Sequence, residues 1–228
     1  MVTRQDGLRP ADATRIVLRP LASPLPLGFL ALFVASLLVC ALQLRWVPVP
    51  QGHEIAIGVL AFAVPLQTIA CLYGFWCRDV VASTGMGVLG GTWATLGVIV
   101  LTSPPGATNP GLGILLVVAA GALLVPTVAG LVSKTVAALV LAAAAARFAI
   151  SGAYELASAP GWRYAAGVCG VVVAGLALYG ALAGEVDSAT RSSLLPLLRP
   201  PAGQRAVSGQ LANQVATLSR EPGVRQQL

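Results

Sequence analysis

The sequence predicts an all-α integral membrane protein with six transmembrane helices and both termini in the cytoplasm. Three observations carry this. Apolar residues make up 57% of the 228-residue chain and charged residues only 10%, against about 25% charged in soluble domains. The mean hydropathy is +0.83. Six apolar runs of about 20 residues, each long enough to cross a bilayer, follow one another with short connections, at about 26–44, 55–77, 81–102, 111–133, 135–157 and 162–184. Eleven of the fourteen Lys and Arg residues fall on one side of those spans and two, Arg45 and Arg163, on the other. The positive side is expected to be cytoplasmic.

The predicted organisation is a cytoplasmic arm at 1–24, a six-helix membrane domain at 25–186, and a cytoplasmic tail at 187–228. The arm carries Arg4, Arg9, Arg15 and Arg19 without an apolar core, so it does not read as a signal peptide. Its segment PADATRIVLR suits a short interfacial helix. In the tail, Val207, Leu211, Val215 and Leu218 recur at helical spacing before Pro222, as a short amphipathic helix does. The net charge of +6 reads as topology and as attraction to anionic headgroups. The basic residues are scattered without interleaved aromatics, so no nucleic-acid partner is expected.

The first span opens on SPLPLG, with Ser23, Pro24, Pro26, Leu27 and Gly28. Proline suits a helix's first turn, where its missing N–H has no intrahelical partner. Gly28 exposes backbone to a neighbouring helix or to a ligand. The second span holds Pro65, which should kink it, and Gln67, a polar amide at membrane depth. Gln67 suits either an interhelical hydrogen bond or a pathway donor. The third span has Gly85, Gly87, Gly90 and Gly91 among Thr84, Thr92 and Thr95. The Gly87–Gly91 spacing is that of close helix packing. Pro126 predicts a kink in the fourth span, and Gly167, Gly170, Gly175 and Gly180 a packing face on the sixth.

The fifth span is almost all Ala and Val, yet carries Arg147 near its middle. A cation at the bilayer centre costs at least ~2.5–3.5 kcal/mol on insertion scales. Arg147 must therefore face a carboxylate, carbonyls or an anion path. Glu155, eight residues on, is about 12 Å away along the helix, too far for an easy pair. Cys40, Cys71, Cys77 and Cys169 show no disulfide or metal spacing and read as small apolar filler. The single histidine, His53, and the lack of paired carboxylates or a nucleophile motif at membrane depth argue against a metal, a cofactor or an enzyme.

The stretch LQTIACLYGFWCRDVVASTGMGVLGGTWATLG resembles the signature of the acetate uptake transporters, the succinate–acetate permease (YaaH-like) family. Gln67, Ala70, Thr84, Gly90 and Trp93 fall at the family's spacings, with Asp79 where the family has Asn. SPLPLG resembles the family's Asn-Pro-Ala-Pro-Leu-Gly, and Gly184, Glu185 and Val186, followed by Leu195 and Pro196, resemble its end of span 6. The resemblance covers about residues 22–197. It implies six helices, a cyclic homo-hexamer in the plasma membrane, and a narrow path for acetate, succinate or similar small carboxylates, with or without a proton. The chain departs from the family at Leu32 and Leu89, where the constriction has aromatics, at Gly74, where span 2 has a Glu, and at Arg147. The expected pathway residues are Gln67, Thr92, Trp93, Leu32, Leu89 and Arg147. Two other readings stay open: a non-transporting structural subunit that keeps the fold, and a pore for a neutral molecule such as ammonia.

Overall fold

The computed structural model describes residues 21–190 and 194–198. The expected interfacial helix of the arm and amphipathic helix of the tail lie outside the described residues. Six helices long and apolar enough to span a membrane are present. They are α1 Leu25–Gln43, α2 Val49–Trp76, α3 Val80–Thr102, α4 Pro110–Ser133, α5 Thr135–Ala157 and α6 Pro160–Thr190. The last helix runs nearly two turns past the predicted end of its span, to Thr190.

Neighbours in sequence are neighbours in space, and α1 packs on α6, closing the bundle into a ring. Glycine sets the spacing at the antiparallel contacts, because bilayer helices associate by close packing and not by a hydrophobic force. On α6, Gly167 meets Leu44, Gly180 meets Phe29, and Gly184 meets Pro26. On α4 and α5, Gly113 and Gly152 face each other. Between α2 and α3, Gly87 meets Cys71, Gly90 meets Gln67, and Gly97 meets Leu60. A Cβ at Gly74 would lie 2.7 Å from the Ser83 backbone N. This contact explains why the glutamate of the resembling family has no room here. Gly91 corrects the expected Gly87–Gly91 packing pair: a Cβ there meets nothing within 4 Å, so it faces away from the protomer's own helices. Gly175 does the same on α6.

Helix ends follow local chemistry. α1 starts at SPLPLG as expected, with Pro24 as its N-cap and Pro26 in the first turn. Asp79 caps α3 by accepting from the Ala82 N–H at 3.2 Å, and Asn109 caps α4 by accepting from Leu112 at 3.1 Å. α1 and α2 each end on an arginine in the left-handed region, Arg45 at φ 60° and Arg78 at φ 55°. Trp46 N–H then closes onto Ala41 O, and Asp79 N–H onto Gly74 O, both at 2.8 Å. This is the 6→1 closure of a Schellman motif. Lys134, at the α4–α5 junction, forms an ion pair with Asp79 and ties it to the α2–α3 junction.

The predicted irregularity at Pro65 takes a specific form. Val59–Ala63 is a π turn, with Val64 N–H donating to Val59 O. A proline has no N–H and its ring crowds the carbonyl four residues back. Widening the preceding turn relieves that clash, and such π bulges cluster at functional sites. Gln67 follows one turn later.

Candidate functional site

α5 is the most enclosed helix: 61% of its apolar 18-residue stretch is buried, against 28–44% for the others. Arg147 sits on it with 1% exposure. With at least about ten residues of helix on either side, it is ~15 Å from both ends and cannot snorkel. Its Nη1 donates to Ser36 Oγ at 3.0 Å and its Nη2 to Ser36 O at 3.3 Å. Its Cζ lies 5.0 Å from the Trp93 ring centroid, a cation–π distance. Trp93 in turn meets Phe148 edge to face at 5.3 Å. Cys40, whose Sγ is 3.9 Å from Nη2, donates to Gly167 O at 3.2 Å and closes the other side. Gly170 makes the room, since a Cβ there would lie 2.6 Å from Arg147 Nε.

Two features stand out chemically. Among the described residues no carboxylate pairs with Arg147. Glu155, the nearest acid along the helix, instead accepts from the Asn109 backbone N–H at 2.7 Å. Arg147 Nε, Trp93 Nε1 and both amide atoms of Gln67 are also buried without a hydrogen-bond partner. Buried polar groups are paired in the great majority of cases, and an unpaired one calls for an explanation. Three of these four atoms are donors.

The expected pathway residues fall into two groups. Gln67, Trp93, Leu32, Leu89 and Arg147 are all buried in the bundle core. Leu32, Leu89, Trp93 and Phe148 belong to one apolar cluster. Thr92 is buried as well, but its hydroxyl donates to Val88 O of its own helix at 2.7 Å. The SPLPLG start lies elsewhere, its nearest residue Gly28 about 12 Å along α1 from Ser36. Ser23 is exposed there, and the Met86 side chain fills the space over Gly28. Sequence reasoning missed Ser36 and Phe148, took Cys40 for filler, and read Gly170 only as part of a packing face, without its neighbours Cys40 and Arg147. A signal was present: Ser36, Cys40 and Gln43 recur at i, i+4 and i+7, one face of an otherwise apolar helix.

A cavity of about 130 Å³ opens at the end where α1 and α3 finish. Its lining includes Arg45, His53, Glu155 and Arg163, with Gln43 and Ser151 deeper in. Gln43 Nε2 donates to Ser151 Oγ at 3.4 Å. Arg163 Nη1 donates to Gln43 O at 3.1 Å. Ser151 is one helical turn from Arg147 on α5, so the cavity ends about 6 Å short of it along the axis.

The sequence matches the family described as GPR1/FUN34/yaaH over residues 5–199. No curated protein matches it significantly. The fold is similar to that of a solved bacterial acetate channel, SatP, with a TM-score of 0.69 and 21% identity, covering 78% of this chain and 99% of that one.

Proposed function

The chain belongs to the GPR1/FUN34/yaaH family, and from that premise we propose that it is a channel or transporter for small carboxylates such as acetate or succinate. The fold is that of a multi-pass membrane protein and is shared with a bacterial acetate channel. One observation carries the choice of an anionic substrate: Arg147, buried at mid-membrane depth with no carboxylate beside it among the described residues. A buried cation without an anion carries an uncompensated desolvation penalty. A carboxylate passing the bundle centre supplies the missing charge, and its oxygens accept from the unpartnered Arg147, Trp93 and Gln67 donors. Leu32, Leu89 and Phe148 leave an apolar surround for the short alkyl part. Thr92 contributes through packing and through the unused lone pairs of its hydroxyl. The SPLPLG turn positions α1, and with it Ser36 and Cys40.

The excess of Lys and Arg at the opposite end supports a reading with the cavity on the outer face and both termini in the cytoplasm. Several protomers assemble side by side in this reading, with the faces carrying Gly91 and Gly175 available for contact.

The test is counterflow of labelled acetate in proteoliposomes. The wild type should carry acetate, and Arg147→Gln should carry it at least about tenfold more slowly, a loss of ~1.4 kcal/mol in the anion's favour. Repeating the assay with an imposed pH gradient decides whether a proton accompanies the anion. No acetate counterflow by a well-folded wild type overturns the reading and favours the structural-subunit alternative. Equal flux in Arg147→Gln removes Arg147 from the path.

A further inference from the structure

We propose that Glu155 is a proton-operated latch on the cavity at the ends of α1 and α3. Ionised, it holds the start of α4. Protonated, it lets go of α4 and donates its O–H to Gln43 Oε1 on the cavity floor. The effect of the latch on flux rests on the carboxylate reading above; the latch itself does not.

Two observations meet at this point. Glu155 Oε2 accepts from the Asn109 backbone N–H at 2.7 Å. That bond ties α5 to the residue that caps α4, whose own side chain accepts from the Leu112 N–H at 3.1 Å. Gln43 Oε1 is buried without a partner, while its Nε2 donates to Ser151 Oγ at 3.4 Å. Oε1 is an acceptor, so only a donor completes it. An ionised carboxylate offers none, and a protonated one offers a single O–H. Ser151 and Glu155 are four residues apart on α5, so they lie on one face about 6 Å apart along the axis. Helical side chains lean back toward the N-terminus, which carries the Glu155 carboxyl over the turn that bears Ser151. Gln43, Ser151 and Glu155 all line the cavity, whose 130 Å³ leaves the carboxyl room to turn from one partner to the other.

The neighbouring groups leave Glu155 as the switch. From α1 and α6, Arg45 and Arg163 line the same cavity, and among the described residues neither forms an ion pair with Glu155. On α5 itself the neighbour is Tyr154. These three groups keep their protons below about pH 8. From α2, His53 shares its ring N–H with Ser103 O at 3.1 Å, and a proton gained by the ring leaves that donor in place. The α3–α4 connection, residues 103–109, and the first turn of α4 carry no charged group. Thr108 and Ser158 add a neutral hydroxyl pair at 2.7 Å. Acid therefore changes one tie of this connection, the one made by Glu155. A charge-assisted hydrogen bond is roughly twice as strong as a neutral one. Protonation removes that advantage from the Asn109 bond, and the unmet acceptor on Gln43 then draws the carboxyl inward. There it stands over the turn that leads to Arg147, so acid on the cavity side shuts the way.

The experiment is hydrogen exchange of the purified full chain, read by mass spectrometry over residues 103–113 between about pH 8 and about pH 4, which brackets the carboxyl range. Protection is corrected for the intrinsic pH dependence of exchange. It should fall by about tenfold or more in the wild type, the worth of one hydrogen bond to a charged group. Glu155→Gln has no proton to gain and should show no such step. Gln43→Met removes the acceptor, so a protonated Glu155 keeps its second oxygen on the Asn109 N–H and the step should shrink to under about threefold. The ratio of wild-type to Glu155→Gln acetate flux, in which the ionisation of acetate itself cancels, should fall toward one as the pH drops. Wild-type protection that does not change with pH overturns the latch without any variant. So does a step that persists in Glu155→Gln or at full size in Gln43→Met. A step with these properties in a protein that carries no acetate leaves the latch standing and overturns the carboxylate function.

Discussion

Replacing Arg147 with methionine separates a structural role from a functional one. If Arg147 belonged to a buried ion pair, removing it would strand a carboxylate and cost roughly 3–5 kcal/mol. No such partner exists among the described residues. What is lost instead is one good hydrogen bond to Ser36 Oγ at 3.0 Å, a longer one to Ser36 O at 3.3 Å, and the contact over Trp93 at 5.0 Å. Hydrogen bonds to charged groups are worth about 1.5–3 kcal/mol and a desolvated cation–π contact about 2 kcal/mol. Against this, methionine removes a burial penalty of several kcal/mol for a lone ion and buries an apolar side chain worth ~1.5–3 kcal/mol. The terms nearly cancel. Arg147→Met should therefore unfold within about 2 kcal/mol of the wild type in mixed-micelle denaturation, while losing acetate flux. A destabilisation of ~3–5 kcal/mol would refute the reasoning, because it would mean that a carboxylate pairs with Arg147 in the assembled protein.

Ser36→Ala should cost about 1–3 kcal/mol in the wild type but under about 0.5 kcal/mol in the Arg147→Met background, where no donor needs its hydroxyl. Equal costs in a double-mutant cycle would sever Ser36 from Arg147. Gly170→Ala puts a methyl 2.6 Å from Arg147 Nε and should cost about 1–3 kcal/mol by overpacking, while Gly91→Ala, with nothing within 4 Å, should fold as the wild type does. Asp79→Asn should lose the Lys134 pair but keep an oxygen for the Ala82 N–H, so Asp79→Ala should be less stable than Asp79→Asn by about 1 kcal/mol, the worth of an N-cap; equal stabilities would mean the cap contributes nothing. A cysteine replacing Ala107 should react with an impermeant maleimide from outside and one replacing Ala189 should not, and the reverse pattern would invert the topology.

The sequence carried the fold because membrane spans are written in long runs. Length and polarity of those runs are enough to place all six helices, and two prolines and a glycine in SPLPLG mark where α1 begins. Pairings between helices were less legible. A glycine announces close approach but not its direction: Gly90 points at Gln67 while its neighbour Gly91 points away, a difference of one 100° step around the helix. At the site, Arg147 was visible because a lone cation in an Ala-rich span is expensive. Its partners were not, because Ser36 and Cys40 lie more than a hundred residues away in sequence and each is an ordinary small residue in its own helix. Gly74 shows the opposite case: an absence in the motif became intelligible only when Ser83 was found against it.

The centre of the bundle is filled, and that constrains how a carboxylate can pass. Arg147, Trp93, Phe148, Leu32 and Leu89 are each at most 1% exposed, and the cavity at the ends of α1 and α3 stops a helical turn short of Arg147. Passage therefore requires side chains to move. The contacts holding the plug are individually weak: an edge-to-face aromatic pair is worth about 0.5–1.5 kcal/mol beyond its buried area. On the proposed path, a carboxylate arriving at Arg147 would offer the guanidinium a full negative charge in place of the partial one on the Trp93 ring face. The exchange frees Trp93 to turn without leaving the cation unsolvated. Rotamer changes of this kind need no helix displacement, which the glycine-mediated contacts of α6 on α1 and of α4 on α5 would resist. In the proposed reading the anion is both the cargo and the agent that loosens the plug, so the same buried charge that disfavours the empty state makes the occupied one accessible.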